Sequence, residues 1–318
     1  MTDALLGSAF ALASAASYAA MYFLVRAGVR KSDVDGGAFV TTVVNALLLG
    51  GAVAFLTLTG HPFAWDLRAL AWFAVAGLLG TFTGRVFMLA GLRRIGPVRT
   101  AAIVNTAPVL TIGISVLVLG EVLSGVGVAA AALVLTGLAL LGADAFRTAD
   151  PTRARDGGQA AAASGTPGLD RTTPAVWGLL LSTLSALSFG SARIARRVGF
   201  GFMPDPLAGA MVGATAGLLG NLLLQVLQGR VRSVVLTSFR DVRPALWAAG
   251  TCSTLGLLFF FTALQFAPLS HVAVVSASET VITMLLSRVL FPQREQLSPR
   301  VLVAAACVFG AGVLISLG

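Results

Sequence analysis

The chain has 318 residues, 57% hydrophobic and 11% charged, with 36 glycines and a mean hydropathy of +0.90; a soluble domain carries about twice that share of charge, so the composition is that of an integral membrane protein. The net charge of +9 would point to nucleic acid in a soluble chain, but the basic residues lie mostly between apolar blocks, where positive charge marks a membrane surface and no nucleic-acid site is read. Cys252 and Cys307 stand inside apolar blocks as small hydrophobes, giving neither a disulfide nor a metal pair.

A membrane-crossing helix needs about 20 apolar residues at about 1.5 Å of rise each. Ten blocks meet that length, at 4–25, 37–59, 69–91, 98–119, 123–143, 175–195, 206–228, 244–266, 270–291 and 298–317. The first, MTDALLGSAFALASAAS, has small residues like those of a signal-peptidase site but no basic segment before them, so it reads as a retained span. Residues 144–174 are rich in Ala, Gly, Pro and Thr, carry four acidic and four basic residues and have no apolar face. They read as a flexible linker between a first half, 1–143, and a second, 175–318.

The halves resemble each other. An offset of 171 residues lays 4–28 on 175–199 without a gap, matching Gly7 to Gly178, Ser14 to Ser185, Ser17 to Ser188, Arg26 to Arg197 and Gly28 to Gly199. The same offset places IGPV (95–98) on FAPL (266–269), and an offset of 172 places PVLT (108–111) on TVIT (280–283). Because five spans is an odd number, the second copy enters the membrane from the opposite side. The expected fold is all-α, ten transmembrane helices as two inverted five-helix repeats, with a site near the midplane between them.

Two five-span halves, a fourth span in each introduced by Pro97 or Pro268, the runs NTAPVL and SASETV inside those spans, and a Glu soon after in LGEVLSG (119–125) and REQLSP (294–299) together resemble the EamA-type permeases of the drug/metabolite transporter superfamily. The resemblance covers nearly the whole chain and implies a multi-pass protein of a bacterial inner membrane that exports amino acids, other metabolites or drugs. It also implies both termini in the cytoplasm. The arginines argue the reverse: 16 of the 22 basic residues lie at odd-numbered connections, which the positive-inside rule makes cytoplasmic.

Ionisable groups inside a membrane are costly and face a bundle interior or a wet cavity. Glu279, in SASETVIT, is the only acidic residue deep inside a block, about 14 Å from its start, too far for a short carboxylate to reach the headgroups. Ser276, Glu279 or Thr280, Thr283 and Ser287 recur at three to four residues as one polar stripe, and Asn105, Pro108, Thr111 and Ser115 form its counterpart on the fourth span. Both stripes are expected on a central substrate cavity, with Glu279 exchanging a coupling proton. Ser14, Ser17, Tyr18, Ser185, Ser188 and Phe189 on the first span of each half would line the same cavity. Pro108 would break its helix. Arg85, about 9 Å of helix from the end of its block, either snorkels or offers a planar charge to a carboxylate of the substrate or of Glu279. Arg193 and Arg196 read as interfacial charges.

The competing reading makes the small polar residues glue between helices and bonds a protonated Glu279 to Ser276, in a membrane scaffold or assembly protein that transports nothing. Two histidines, His61 and His271, supply no metal centre, and neither HExxH nor GxSxG is present. No enzyme activity, metal or cofactor is expected. The expected partners are a small-molecule substrate, the lipid bilayer and protons.

Overall fold

The computed structural model describes residues 2–28, 34–95, 100, 103–148, 173–229, 231, 244–290 and 299–317. Most of the expected linker, residues 149–172, lies outside the described residues, as does Glu295. Among the described residues all regular structure is helical. The elements are α1 (Thr2–Gly28), α2 (Val34–Leu58), α3 (Leu67–Gly77), a π-helical segment (Leu78–Gly84), α4 (Arg85–Ile95), α5 (Ala107–Leu119), α6 (Gly125–Thr148), α7 (Thr173–Phe202), α8 (Pro206–Leu227), α9 (Pro244–Phe266), α10 (Leu269–Ser276), α11 (Ser278–Leu290) and α12 (Pro299–Leu317). The π segment joins α3 and α4 into one span, and α10 with α11 makes another. Among the described residues ten transmembrane helices result: six long apolar ones, and four whose described apolar stretches are shorter.

Local chemistry sets the helix ends. Asp66 accepts from the backbone N–H groups of Arg68 and Ala69 at 2.8 and 3.0 Å and so starts α3. Asp205 accepts from Ala208 N–H at 2.8 Å, with Pro206 in the first turn of α8, where a missing N–H costs nothing. Gly120 ends α5 with φ at 65°, a left-handed conformation that glycine adopts without strain. The outward faces are apolar: Leu117 is 85% exposed and Phe55 65%, while Ser14, Thr41, Asn45, Ser185 and Ser253 are buried. This arrangement suits a lipid exterior around a polar interior.

The 171-residue offset seen in the sequence recurs in the helix boundaries. It carries Thr2 to Thr173, Ile95 to Phe266, Ala107 to Ser278 and Leu119 to Leu290, each an observed terminus of α1 and α7, α4 and α9, or α5 and α11. The repeats interlock rather than sit side by side: α1 packs on α9, and α7 packs on α3, the π segment and α4. A Cβ on Gly7 would meet Ala267, and one on its repeat mate Gly178 would meet Ile95, so the same small-residue contact is made twice with the halves exchanged. Helices α6 and α12 pair with each other at Gly137 and Val308.

The fourth and ninth spans are interrupted. Turn residues Asn105 and Thr106 precede α5, and Ala277 separates α10 from α11. Pro108 therefore lies in the first turn of α5 rather than in mid-helix, and the interruption is upstream of it. Glu121, in the turn after α5, crosses to the other half and accepts from Leu269 and Ser270 N–H at 2.9 and 3.0 Å, capping α10. On the far side of α10, His271 Nε2 lies 2.7 Å from Ser8 Oγ, which accepts from Ser316 Oγ at 2.7 Å, tying α10 to α1 and α12.

Candidate functional site

The two interruptions face a cavity of about 250 Å3 between the repeats. Its floor is made by Asn105 and Pro108 on one side and by Ser276, Glu279 and Thr280 on the other. Asn105 and Ser276 are mates under the 171-residue offset. The starts of α5 and α11 at Ala107 and Ser278 keep that offset, so Pro108 pairs with Glu279 rather than with Thr280, to which the sequence alone aligned it, and the carboxyl occupies the place that proline holds in the first half. Glu279 falls in the first turn of α11, where the partial positive charge of the helix terminus favours an acidic group.

The walls come from α1 and α7 at helical spacing. Ser14, Tyr18, Tyr22 and Val25 line one side; Phe189, Arg193 and Arg196 line the other. The offset pairs Tyr18 with Phe189, Tyr22 with Arg193 and Val25 with Arg196. One copy thus contributes phenols where the other contributes an aromatic ring and two guanidinium groups. Tyr22 is hydrogen-bonded to the Glu279 carboxyl, and Arg193 acts on the same carboxyl electrostatically. Arg193 and Arg196, three residues apart on one helix face, hold Phe260 with centroid distances of 5.7 and 5.3 Å.

Helices α2, α4 and α9 and the π segment close the cavity. Arg85 Nη1 donates to Thr41 Oγ1 at 3.3 Å, and Asn45 Nδ2 donates to Ser253 Oγ at 3.0 Å while its Oδ1 accepts from Thr254 at 3.0 Å. Gly80 of the π segment allows Arg196 close approach: a Cβ there would lie 3.3 Å from the guanidinium. A π-helical turn beside a polar cavity shifts the register so that Thr81 and Arg85 both face inward. Arg193 Nη1 and Ser276 Oγ are buried with no hydrogen-bond partner. Ser276 is therefore not bonded to Glu279, contrary to the expectation of the scaffold reading.

Of the residues singled out in the sequence, Ser14, Tyr18, Arg85, Asn105, Pro108, Phe189, Ser276, Glu279 and Thr280 meet at this cavity. Among the described side chains the others do not line it. Ser17 donates to the Ala13 carbonyl, Thr111 to that of Ala107, Ser115 to that of Ile112 and Thr283 to that of Glu279, each hydroxyl turning back on its own helix. Ser185 donates to Gly84 O across the repeat, Ser188 is half-buried away from the lining, and the Ser287 side chain lies outside the described residues. Arg193 and Arg196 are corrected from interface to cavity, because α7 continues to Phe202 rather than ending near 195 and holds both within the span. Tyr22, Thr41, Asn45 and Ser253 were not anticipated. The spacing of Tyr22 four residues after Tyr18, and of Arg193 four after Phe189, was the signal that would have found two of the missed groups.

The model of the EamA-like transporter family matches residues 5–143 and 176–317. Over 142 residues the chain is 32% identical to "Uncharacterized transporter YcbK" of Bacillus subtilis (strain 168), a match that covers 42% of this chain and 45% of that protein, so the aligned part spans just under half of the relative's length. A crystal structure of a protein 18% identical to this chain superposes over 98% of this chain and 96% of that one with a TM-score of 0.67, a likeness of fold.

Proposed function

Because the chain belongs to the EamA-like transporter family, we propose that it is a secondary carrier of small metabolites, amino acids or related compounds, working by alternating access around the cavity between its two halves. The observation that carries this reading is the meeting of two interrupted spans, α5 and α10–α11, at one polar cavity with a carboxyl in its wall. Interrupted helices expose unpaired backbone groups to a site and give the repeats places to bend. The swapped packing of α1 on α9 and of α7 on α4 supports rocking of whole bundles. Glu279 is the coupling residue of this reading: it takes a proton from one side of the membrane and releases it on the other. Residues 1–143 and 175–318 act as the two repeats, residues 144–174 as their tether. The place of action is the inner cell membrane and the physiological direction is outward, as the family resemblance implies. No bond in the substrate is made or broken.

Reconstitution into proteoliposomes loaded with a metabolite library, with and without a pH gradient, tests the reading. Selective flux that depends on the gradient supports it. Tight proteoliposomes with folded protein and no flux of any compound contradict it.

A further inference from the structure

Three guanidinium groups, those of Arg85, Arg193 and Arg196, line the cavity with one carboxyl, Glu279. Among the described lining residues no other acidic group balances them. Buried like charges are expensive unless something of opposite sign completes them, and a planar guanidinium with an unpaired N–H is built to bind an oxyanion. Arg193 Nη1 is such a group, buried and without a hydrogen-bond partner. Arg196 stands one helical turn away over Phe260. Beside this charged end, Phe189, one turn before Arg193 on α7, and Leu257, one turn before Phe260 on α9, give the cavity apolar wall.

From this juxtaposition we infer that the substrate is a small organic anion, its carboxylate or phosphate held by Arg193 and Arg196 and its apolar body against Phe189 and Leu257, and that it binds together with a proton on Glu279. The inference rests on the carrier reading above and adds the class of cargo and the sign of coupling. Ionised Glu279 acts on Arg193 and competes with the incoming anion for it. Protonating Glu279 removes the competitor and leaves the cavity with three positive charges and no negative one. Binding of proton and anion therefore favours each other, by the reciprocity that holds for any two linked ligands. Both then cross in one step, as in symport, so the direction of net movement follows the sum of their two gradients, and outward movement requires an anion gradient that exceeds the opposing proton gradient.

Glu279 interacts with Tyr18 and Tyr22 from α1 and Arg193 from α7, and Arg196 from α7 and Arg85 from α4 line the same cavity. On α12, Cys307 faces Gly137 of α6 instead. On α10, His271 bonds to Ser8. Glu279 is thus the one carboxyl among the described lining residues, and it acts electrostatically on Arg193.

Equilibrium binding to the purified full chain tests the inference, with benzoate, phenyl phosphate, benzamide and benzylammonium as probes of similar shape and different charge. Benzoate or phenyl phosphate should bind and the other two should not; whichever anion binds more tightly identifies carboxylate or phosphate as the headgroup. For benzoate, which stays ionised between pH 5.5 and 8.5, affinity should fall by about tenfold per pH unit once Glu279 is ionised. Glu279→Gln should bind benzoate at least as tightly as the wild type at low pH, with no dependence on pH. Arg193→Gln should weaken benzoate by about tenfold or more, while Arg94→Gln, an exposed arginine, should not. Should Arg193→Gln fail to fold, the pH profile of Glu279→Gln decides alone. Equal or tighter binding of benzamide or benzylammonium, no binding of either anion, or an unchanged pH profile in Glu279→Gln overturns the inference. Flux of a neutral or cationic compound in proteoliposomes would overturn it too and leave the carrier reading standing. Anion binding with this pH profile but no flux would support the inference and remove the carrier reading.

Discussion

Ser14 donates its hydroxyl to the Gly256 carbonyl at 2.7 Å, from the first span of one half to the third span of the other. Its repeat mate Ser185 does the same in reverse, donating to Gly84 at 2.8 Å. Both hydroxyls are buried, and each bond crosses the contact by which the halves interlock. Ser14→Ala and Ser185→Ala should each lower stability by about 1 kcal/mol. The two bonds share no partner, so the double variant should lose about the sum. Thermal unfolding of the purified proteins measures this, and a double loss no larger than either single loss would show that the bonds are not independent ties.

Gly77 of α3 and Gly213 of α8 meet backbone to backbone, and a Cβ on Gly77 would collide with the Gly213 carbonyl. A backbone collision cannot be relieved by rotating a side chain. Gly77→Ala should therefore fail to accumulate as folded protein or lose most of its thermal stability. Gly51 in α2 has nothing near the position of its absent Cβ, and Gly51→Ala should be neutral or gain up to about 1 kcal/mol from helix propensity. Equal behaviour of the two variants in expression and thermal stability would remove the close contact between α3 and α8.

Cysteine accessibility separates cavity from packing on the fourth and ninth spans. Asn105 and Thr280 line the cavity, whereas Ser115 is fully buried and bonded to the Ile112 carbonyl. Asn105→Cys and Thr280→Cys should react with small aqueous thiol reagents, and Ser115→Cys should stay inert against a background lacking Cys252 and Cys307. Modification of Ser115→Cys as fast as the other two would place the cavity further along α5.

The number of spans, the repeat offset and the acidic residue were legible because each leaves a mark in one dimension: apolar length, self-similarity, and a charge where charge is costly. Glu279, Asn105 and Ser276 were found in that way. The deeper half of each polar stripe was not, because Thr111, Ser115 and Thr283 satisfy their hydroxyls on their own helix and a stripe of small polar residues reads alike whether it faces a cavity or a neighbour. Arg193 and Arg196 were misplaced because hydropathy ends a helix at its first cluster of charge, while α7 runs past that cluster to Phe202. The π segment in the third span has no compositional signature at all. Glu121 was seen as a recurring feature, but its partner lies 148 residues away and only the fold brings them together.

Both carboxylate oxygens of Glu121 accept from the first N–H groups of α10, so this acid caps a helix and lies outside the cavity. Glu121→Gln keeps one acceptor and loses the charge at a helix N-terminus; stability should fall by about 1 kcal/mol. The dependence of transport on pH should be that of the wild type. A changed pH dependence in a folded Glu121→Gln protein would draw this carboxyl into the coupling that is assigned to Glu279.

The central claim is that Glu279 carries the coupling proton of a carrier. Glu279→Gln keeps the size and hydrogen-bonding ability of the side chain, so Tyr22 retains a partner, but the group no longer ionises. The direct measurement is substrate accumulation in proteoliposomes under an imposed pH gradient, beside exchange of labelled for unlabelled substrate without one. Glu279→Gln should abolish accumulation driven by the gradient and preserve exchange. Accumulation by Glu279→Gln against the substrate gradient, with the pH dependence of the wild type, would contradict the claim and leave Glu279 a structural residue of the cavity wall.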